Sequence, residues 1–227
     1  MLAAIERARE QIALLGRSNT GRLRIGASTT PGIYLLPDVL GRFRADMPGI
    51  VLDLRIANSS AVEAALIENQ LDIGVIGEEI AHAELFQVAL GRDRVVAVVA
   101  PALARKGTRA LRPAELGGFA LLARESGSAT RRFVDDALRA LGVELTPSFE
   151  LPSPEAQLRA AAAGLGIAFV SRHAAAHDLT ARRLVELRIS GLDLVRPINA
   201  VYHRDKRVTP AMRDLLDLLQ DRLRRER

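Results

Sequence analysis

Cysteine is absent from these 227 residues. That excludes disulfides, thiolate nucleophiles and cysteine-ligated metals. Tryptophan is also absent, and aromatics make up only 4% of the chain. A core must therefore be built from Ala, Val, Leu and Ile. A basic patch interleaved with stacking aromatics, as single-stranded nucleic acid requires, is missing too. No apolar stretch approaches the roughly 18 residues of a membrane span. No charged segment followed by an apolar run and a cleavage site opens the chain, so a cytoplasmic protein with no membrane partner is expected.

Catalytic motifs are equally sparse. The sequence has no Gly-x-Ser-x-Gly elbow and no P-loop. Gly164-Leu165-Gly166 lies after a helical pattern and before a strand pattern, the reverse of a dinucleotide fingerprint, and reads as a helix terminator. His173 and His177 share an i, i+4 spacing, but Ala174, Ala175 and Ala176 lie between them. Zinc hydrolases with that spacing place a glutamate beside the first histidine. The expectation is no metal, no cofactor and no catalytic residue.

Hydrophobic residues amount to 48%, enough for a sizeable core. The formal net charge is +5, from 32 basic and 27 acidic residues. The basic residues are mostly Arg and are dispersed. Their densest run, 222–227, reads as a solvated helix end.

The first segment, 2–15, has a helical pattern, with Leu2, Ile5, Arg9 and Ile12 in coiled-coil spacing. From Gly21 onward strands alternate with helices. Strands are expected at 23–27, 50–57 and 71–76, and helices at 31–45 and 60–69. In the second of these helices Ala61, Ala64, Ala65 and Leu66 are expected to face inward. This βαβαβ order implies a mostly parallel sheet with right-handed crossovers. Two strands, 86–90 and 95–100, follow with no helix between them.

After a connector at 101–107 a second series begins. Its expected strands are 119–123, 147–151, 166–170 and 184–188, and its helices 128–141, 154–163 and 172–178. A strand at 195–203 returns toward the first series. The final helix has Thr209 at its N-cap and Pro210 at its first position. Met212, Leu215, Leu216, Leu219 and Leu223 form its apolar stripe. The repertoire is thus duplicated, which fits an α/β fold of two Rossmann-like lobes with a hinge, like periplasmic binding proteins of type II. The crossings are expected near 99–103 and 196–201. Lobe I would take 19–98 plus 199–227 and lobe II 99–198, with a linker helix over 1–18.

Ligands of open α/β sheets bind at the carboxyl ends of strands. Here those ends carry Ser28, Thr29 and Thr30, then Asn58, Ser59 and Ser60, then Arg124, Glu125, Ser126, Gly127 and Ser128, then Ser171. Thr130 closes the third group. Hydroxyls beside free helix N–H groups suit an anion or polar ligand. A guanidinium in the cleft favours an anion with two oxygens to offer. The plainer reading of each hydroxyl is helix capping. One cap suffices per helix, so the clustering of three at 28–30 favours ligand contact.

Several segments, in order, resemble the effector-binding domain of LysR-type transcriptional regulators. They are Gly21-Arg22-Leu23-Arg24-Ile25-Gly26, Leu35-Leu36-Pro37, Phe43-Arg44-Ala45-Asp46-Met47-Pro48-Gly49-Ile50, Leu71-Asp72-Ile73-Gly74-Val75 and Arg124-Glu125-Ser126-Gly127-Ser128-Ala129-Thr130-Arg131. Ala163-Gly164-Leu165-Gly166-Ile167-Ala168-Phe169-Val170-Ser171 is the most specific. Together they cover 19 to about 220, and the leading helix is similar to the family's linker helix. The second-lobe loop most resembles members that control carbon fixation or sulfur assimilation.

The resemblance implies a small-molecule effector in the interlobe cleft, contacted by a hydroxyl at Ser59 or Ser60. It also implies a homodimer, or a tetramer of the full-length regulator. DNA contact would come only through an N-terminal winged helix-turn-helix, which these residues do not include. A solute-binding protein for transport shares the fold and is the alternative. A tetrapyrrole-building deaminase, a third protein on this fold, attaches its cofactor to a cysteine and is excluded.

Overall fold

The structure, a computed structural model, describes residues 20–104 and 110–224. The expected helix at 2–15 within the linker 1–18, and residues 225–227 of the basic run, lie outside the described residues. Strand β1, Gly21–Ser28, starts the fold. Helices α1, Thr29–Tyr34, and α2, Leu36–Asp46, follow it. The chain then forms β2, Ile50–Ala57, α3, Ser59–Ile67, and β3, Ile73–Ile76. A long strand β4, Leu85–Val99, leads into the second half.

That half contains β5, Leu121–Arg124, α4, Ala129–Ala140, β6, Pro147–Leu151, and α5, Pro154–Ala162. It continues with β7, Ile167–Ser171, α6, Arg172–Thr180, and β8, Val185–Leu187. Strand β9, Val195–His203, and helix α7, Pro210–Arg224, complete the fold.

The strands lie in the order β2-β1-β3-β9-β4-β7-β5-β6, with β8 also on β4. β1 is parallel to β2 and β3, and β5 is parallel to β6 and β7. β4 links the two parallel groups. Its residues up to Arg94 pair antiparallel with β9, and from Val95 onward they pair with β7 and β8. The change of partner therefore falls between Arg94 and Val95, ahead of the expected crossing at 99–103. β9 is the second crossing element.

Alternation along β4 serves both faces of its second half. Val95, Ala97 and Val99 pack against Val134 and Leu138 of α4. Val96 and Val98 pack against Leu158 and Ala161 of α5 and Ala174 and Ala175 of α6. In the first lobe Leu23, Ile25 and Ala27 meet Phe43 of α2 and the stripe Met212, Leu215, Leu219 and Leu223 of α7. Thr209 caps α7 as expected, its Oγ1 accepting from the Met212 N–H at 3.2 Å.

Four expectations need correction. The helix expected over 31–45 is two helices broken at Leu35. Pro37 lacks an N–H, and its ring would clash with the residue-33 carbonyl in a continuous helix. α1 begins at Thr29, so Pro31 is its third residue and not its first. The strands expected at 86–90 and 95–100 are one strand, because the charged stretch between them stays extended. Arg92 and Arg94 point to solvent while Asp93 is buried. On α3, Ala61 and Ala64 are exposed, and Ser59, Val62 and Leu66 face inward.

Candidate effector site

The carboxyl ends of β1, β2 and β5 converge on one recess. Ser28, Thr29, Thr30, Asn58 and Ser59 line it from the first lobe. Arg124, Ser128, Ala129 and Thr130 face them from the second, and Arg196 of β9 forms the floor between. The free space is about 10 Å³, room for roughly one water. Direct contacts between the lobes account for this. The Arg124 Nη2 donates to Thr29 Oγ1 at 3.2 Å, and the Ser60 hydroxyl donates to the Gly127 carbonyl at 3.4 Å. At the mouth the Arg132 guanidinium reaches both Glu78 carboxylate oxygens at 2.7 Å and the Ser60 hydroxyl at 3.3 Å.

Two guanidiniums are buried in the recess, Arg124 and Arg196, each 3% exposed. Arg124 donates to both Glu125 carboxylate oxygens, at 2.8 and 2.9 Å. Arg196 donates to Asp93 at 2.8 and 3.0 Å and to Thr130 Oγ1 at 2.7 Å. The Ser171 hydroxyl donates to the other Asp93 oxygen at 2.7 Å. Asp93 and Arg196 are directly opposed in the β4–β9 ladder. The two crossing strands are thus tied together by a buried ion pair under the recess. Arg196 lies over Gly77, where a Cβ would sit 3.1 Å from its Cζ.

The hydroxyl groups divide between capping and facing the recess. Asn58 Oδ1 accepts from the Ala61 N–H at 2.9 Å, and Ser171 Oγ accepts from His173 N–H at 3.2 Å. Both are helix caps, and Ser171 lies outside the recess in the Asp93 network. Ser28 and Ser128 occupy N-cap positions of α1 and α4 yet make no side-chain cap bond. Both are buried against the recess. Ser126 is exposed and does not line it. Ser60, Glu125 and Gly127 sit at its border, in the contacts described above. Gly127 has φ of 84°, and a Cβ there would lie 3.0 Å from the Asn58 amide nitrogen. Only glycine suits that conformation and that approach.

A further bridge lies beside α1. The Tyr34 hydroxyl donates to Glu155 of α5 at 2.5 Å. Burial, then the bond to Glu155, raises the Tyr34 pKa, so it stays a donor at ordinary pH.

Arg196 is the residue that sequence reasoning missed. It stands in an apolar strand with no turn chemistry around it. Its only signal is the acidic Asp93 in the other crossing strand. Among the described residues no group of three or more His, Cys, Asp or Glu could hold a metal ion. No described helix is long and apolar enough to cross a membrane.

Two α/β lobes, joined by crossing strands and facing each other through polar strand ends, define a ligand-binding fold of the type II periplasmic-binding-protein kind. Residues 16–224 match the LysR substrate binding domain, and the chain belongs to that family. It is 35% identical over 218 residues to an Escherichia coli protein named uncharacterized HTH-type transcriptional regulator YeiE, covering 95% of this chain and 73% of that one. It is 33% identical to the HTH-type transcriptional regulator CbbR of Xanthobacter flavus, over 96% of this chain and 66% of that one.

A protein of Anaeromyxobacter dehalogenans named phosphonates import ATP-binding protein PhnC is 35% identical over 87% of this chain, which spans only 40% of that protein. The regulatory domain of Synechocystis CcmR in complex with 2-PG superposes with a TM-score of 0.82, at 26% identity, over 89% of this chain and 97% of that one.

Proposed function

We propose that this domain senses a small anionic metabolite, taken up between its lobes, on behalf of a transcription regulator. Two guanidiniums buried in a recess otherwise lined by hydroxyls and an amide carry this reading. Arg124 is the better anion anchor, because its carboxylate partner is the neighbouring residue and can rotate away. Arg196 is tied to Asp93 across the ladder and serves as the fixed floor. Ser28, Thr29 and Ser128 supply hydroxyls that no helix cap consumes. Among similar proteins, a regulatory domain is in complex with 2-PG, which supports a small-molecule ligand. Relatives named as transcriptional regulators support a role of binding without turnover.

The lobes are read as residues 20–94 with 195–224, and 95–194, the boundary following the partner change in β4. Effector binding would shift the lobes, and a linker over 1–18 would pass that shift to a DNA-reading winged helix-turn-helix in a cytoplasmic homodimer or tetramer. The names of the relatives favour regulation over transport. The import protein among them is named for ATP binding, and this chain carries no P-loop to bind ATP.

Calorimetry with a panel of phosphorylated and carboxylated metabolites tests the proposal. Once a ligand is found, Thr29→Ala and Ser128→Ala should each weaken it by roughly one to two orders of magnitude, the loss of one hydrogen bond to a charged group. Thermal melting should stay near wild type. Unchanged affinity in both variants would move the site elsewhere.

A further inference from the structure

Behind the interlobe recess, a cavity of about 20 Å³ lies within the second lobe. Arg124 and Thr130 line both spaces. The cavity sits where two strands separate. β5 and β7 pair at Leu121–Ile167 and Leu122–Ala168, and no further pair joins them toward Arg124 and Ser171. Val134 of α4, Phe169 of β7 and Gln157 of α5 face this gap. Gln157 is only 2% exposed, and its Nε2 donates to the Leu122 carbonyl at 2.7 Å.

That bond fixes the orientation of the amide. Turned over, Gln157 would set its own oxygen against the Leu122 carbonyl, two acceptors with no proton between them. Oε1 therefore points away from Leu122. Among the described residues it is the one buried side-chain nitrogen or oxygen without a hydrogen-bond partner. A buried acceptor left unpaired carries its full desolvation penalty, so a donor in the cavity would be stabilising. The space admits roughly one or two non-hydrogen atoms. A hydroxyl fits. An ammonium does not, because Arg124 and Arg131 both border the cavity and the Asp135 carboxylate there is paired with Arg131 at 3.7 Å.

We propose, resting on the interlobe anion site, that Gln157 selects the effector: a small anion that carries a hydroxyl group. The anionic end lies on Arg124, and the hydroxyl donates to Gln157 Oε1 in the cavity behind it. An anion held by Arg124 has its carbon skeleton beside this cavity, since Arg124 borders both spaces. The amide accepts without bearing charge, so it adds selectivity without repelling the anion. A ligand of the same shape that lacks the hydroxyl forgoes this bond.

Calorimetry of the 227-residue chain with matched pairs tests this: glycerol 3-phosphate against propyl phosphate, malate against succinate, and glycerate against propionate. In a pair that binds, the hydroxylated member should bind roughly tenfold tighter, the worth of one hydrogen bond to a buried acceptor. In Gln157→Met that preference should fall below about twofold. A purely structural Gln157 would weaken both members alike and leave their ratio unchanged. Val134→Ile fills the cavity and leaves Gln157 in place. It should also remove the preference, and it decides the matter if Gln157→Met fails to fold. Equal binding of both members by the wild-type chain would mean that Oε1 takes a buried water only. That result, or a preference that survives in the folded variants, would overturn the role of Gln157 and leave the interlobe site intact. No binding by any pair, or binding unchanged in both Thr29→Ala and Ser128→Ala, would overturn the interlobe site and the role of Gln157 together.

Discussion

Glu125 holds the Arg124 guanidinium through both carboxylate oxygens, the geometry an incoming anion would need. An anionic effector must displace it or share the cation with it. Glu125→Gln keeps the shape and removes the competing charge. Affinity for an anionic effector should then rise, by roughly tenfold if one charged hydrogen bond is released. A fall in affinity, measured by calorimetry, would mean that Glu125 itself contacts the ligand.

Asp72 shows the same chemistry used for stability. Burial acts to raise its pKa, but bonds from Arg24 and Lys206 outweigh it and hold the carboxyl at about 2, against an ordinary 3.8. Because the folded value is depressed, the stabilisation is present above about pH 4 and is lost as pH falls toward 2. Asp72→Asn should cost roughly 1–2 kcal/mol at neutral pH, discounted for partly solvated partners. The difference from wild type should shrink in acid, as read by urea denaturation across pH. The hydroxyls at 28–30 and at Ser128 and Thr130 were legible because turn and cap residues at strand ends stand out from apolar strands, although the same signal also picked Ser126, which is exposed outside the recess. Arg196 was not, since a buried charge inside a strand is explained only by its long-range partner Asp93.

The elements themselves follow closely from period and punctuation. β6 and β9 fall where alternation places them, at Pro147–Leu151 and Val195–His203. Failures occur where a local signal met a tertiary constraint. The Gly91-Arg92-Asp93-Arg94 stretch has turn composition, yet it stays extended because β9 pairs with it on every residue. Leu66 faces inward on α3 as expected, but Ala61 and Ala64 do not, because Ala is neutral evidence for burial and Val62 takes the position over Gly26 of β1 and Gly74 of β3.

Gly166 shows where a small residue is obligatory. A Cβ there would lie 2.0 Å from the Ala120 carbonyl oxygen, which accepts from the Ile167 N–H at 2.9 Å. The obstacle is backbone, so no side-chain rotation relieves it. Gly166→Ala should push the start of β7 away from the segment leading into β5 and cost roughly 2–4 kcal/mol. Chemical denaturation gives the value, and a change below 0.5 kcal/mol, the ordinary scatter of surface substitutions, would refute the steric account.

At the scale of the whole molecule, the lobes meet directly and leave space for about one water. An effector of metabolite size enters only after they part. Contacts that oppose that parting include Arg132 with Glu78 and Ser60, Ser60 with the Gly127 carbonyl, Arg124 with Thr29, Arg196 with Thr130, and Tyr34 with Glu155. The Arg132–Glu78 pair is the one at the mouth that does not line the recess, so it reports closure separately from ligand contact. Its side chains are 44% and 22% exposed, which limits its worth to about 0–1 kcal/mol.

Breaking it with Arg132→Gln should speed effector entry by up to about fivefold, since less energy opposes opening. The same change should speed release by a similar factor, because the closed complex loses the same contact. Both rates should rise in stopped-flow measurements while Kd moves by less than about threefold. A loss of affinity with an unchanged association rate would instead make Arg132 a ligand contact. Unchanged rates in both directions would show that the lobes are held by the other contacts between them, the Arg124–Thr29, Ser60–Gly127, Arg196–Thr130 and Tyr34–Glu155 bonds.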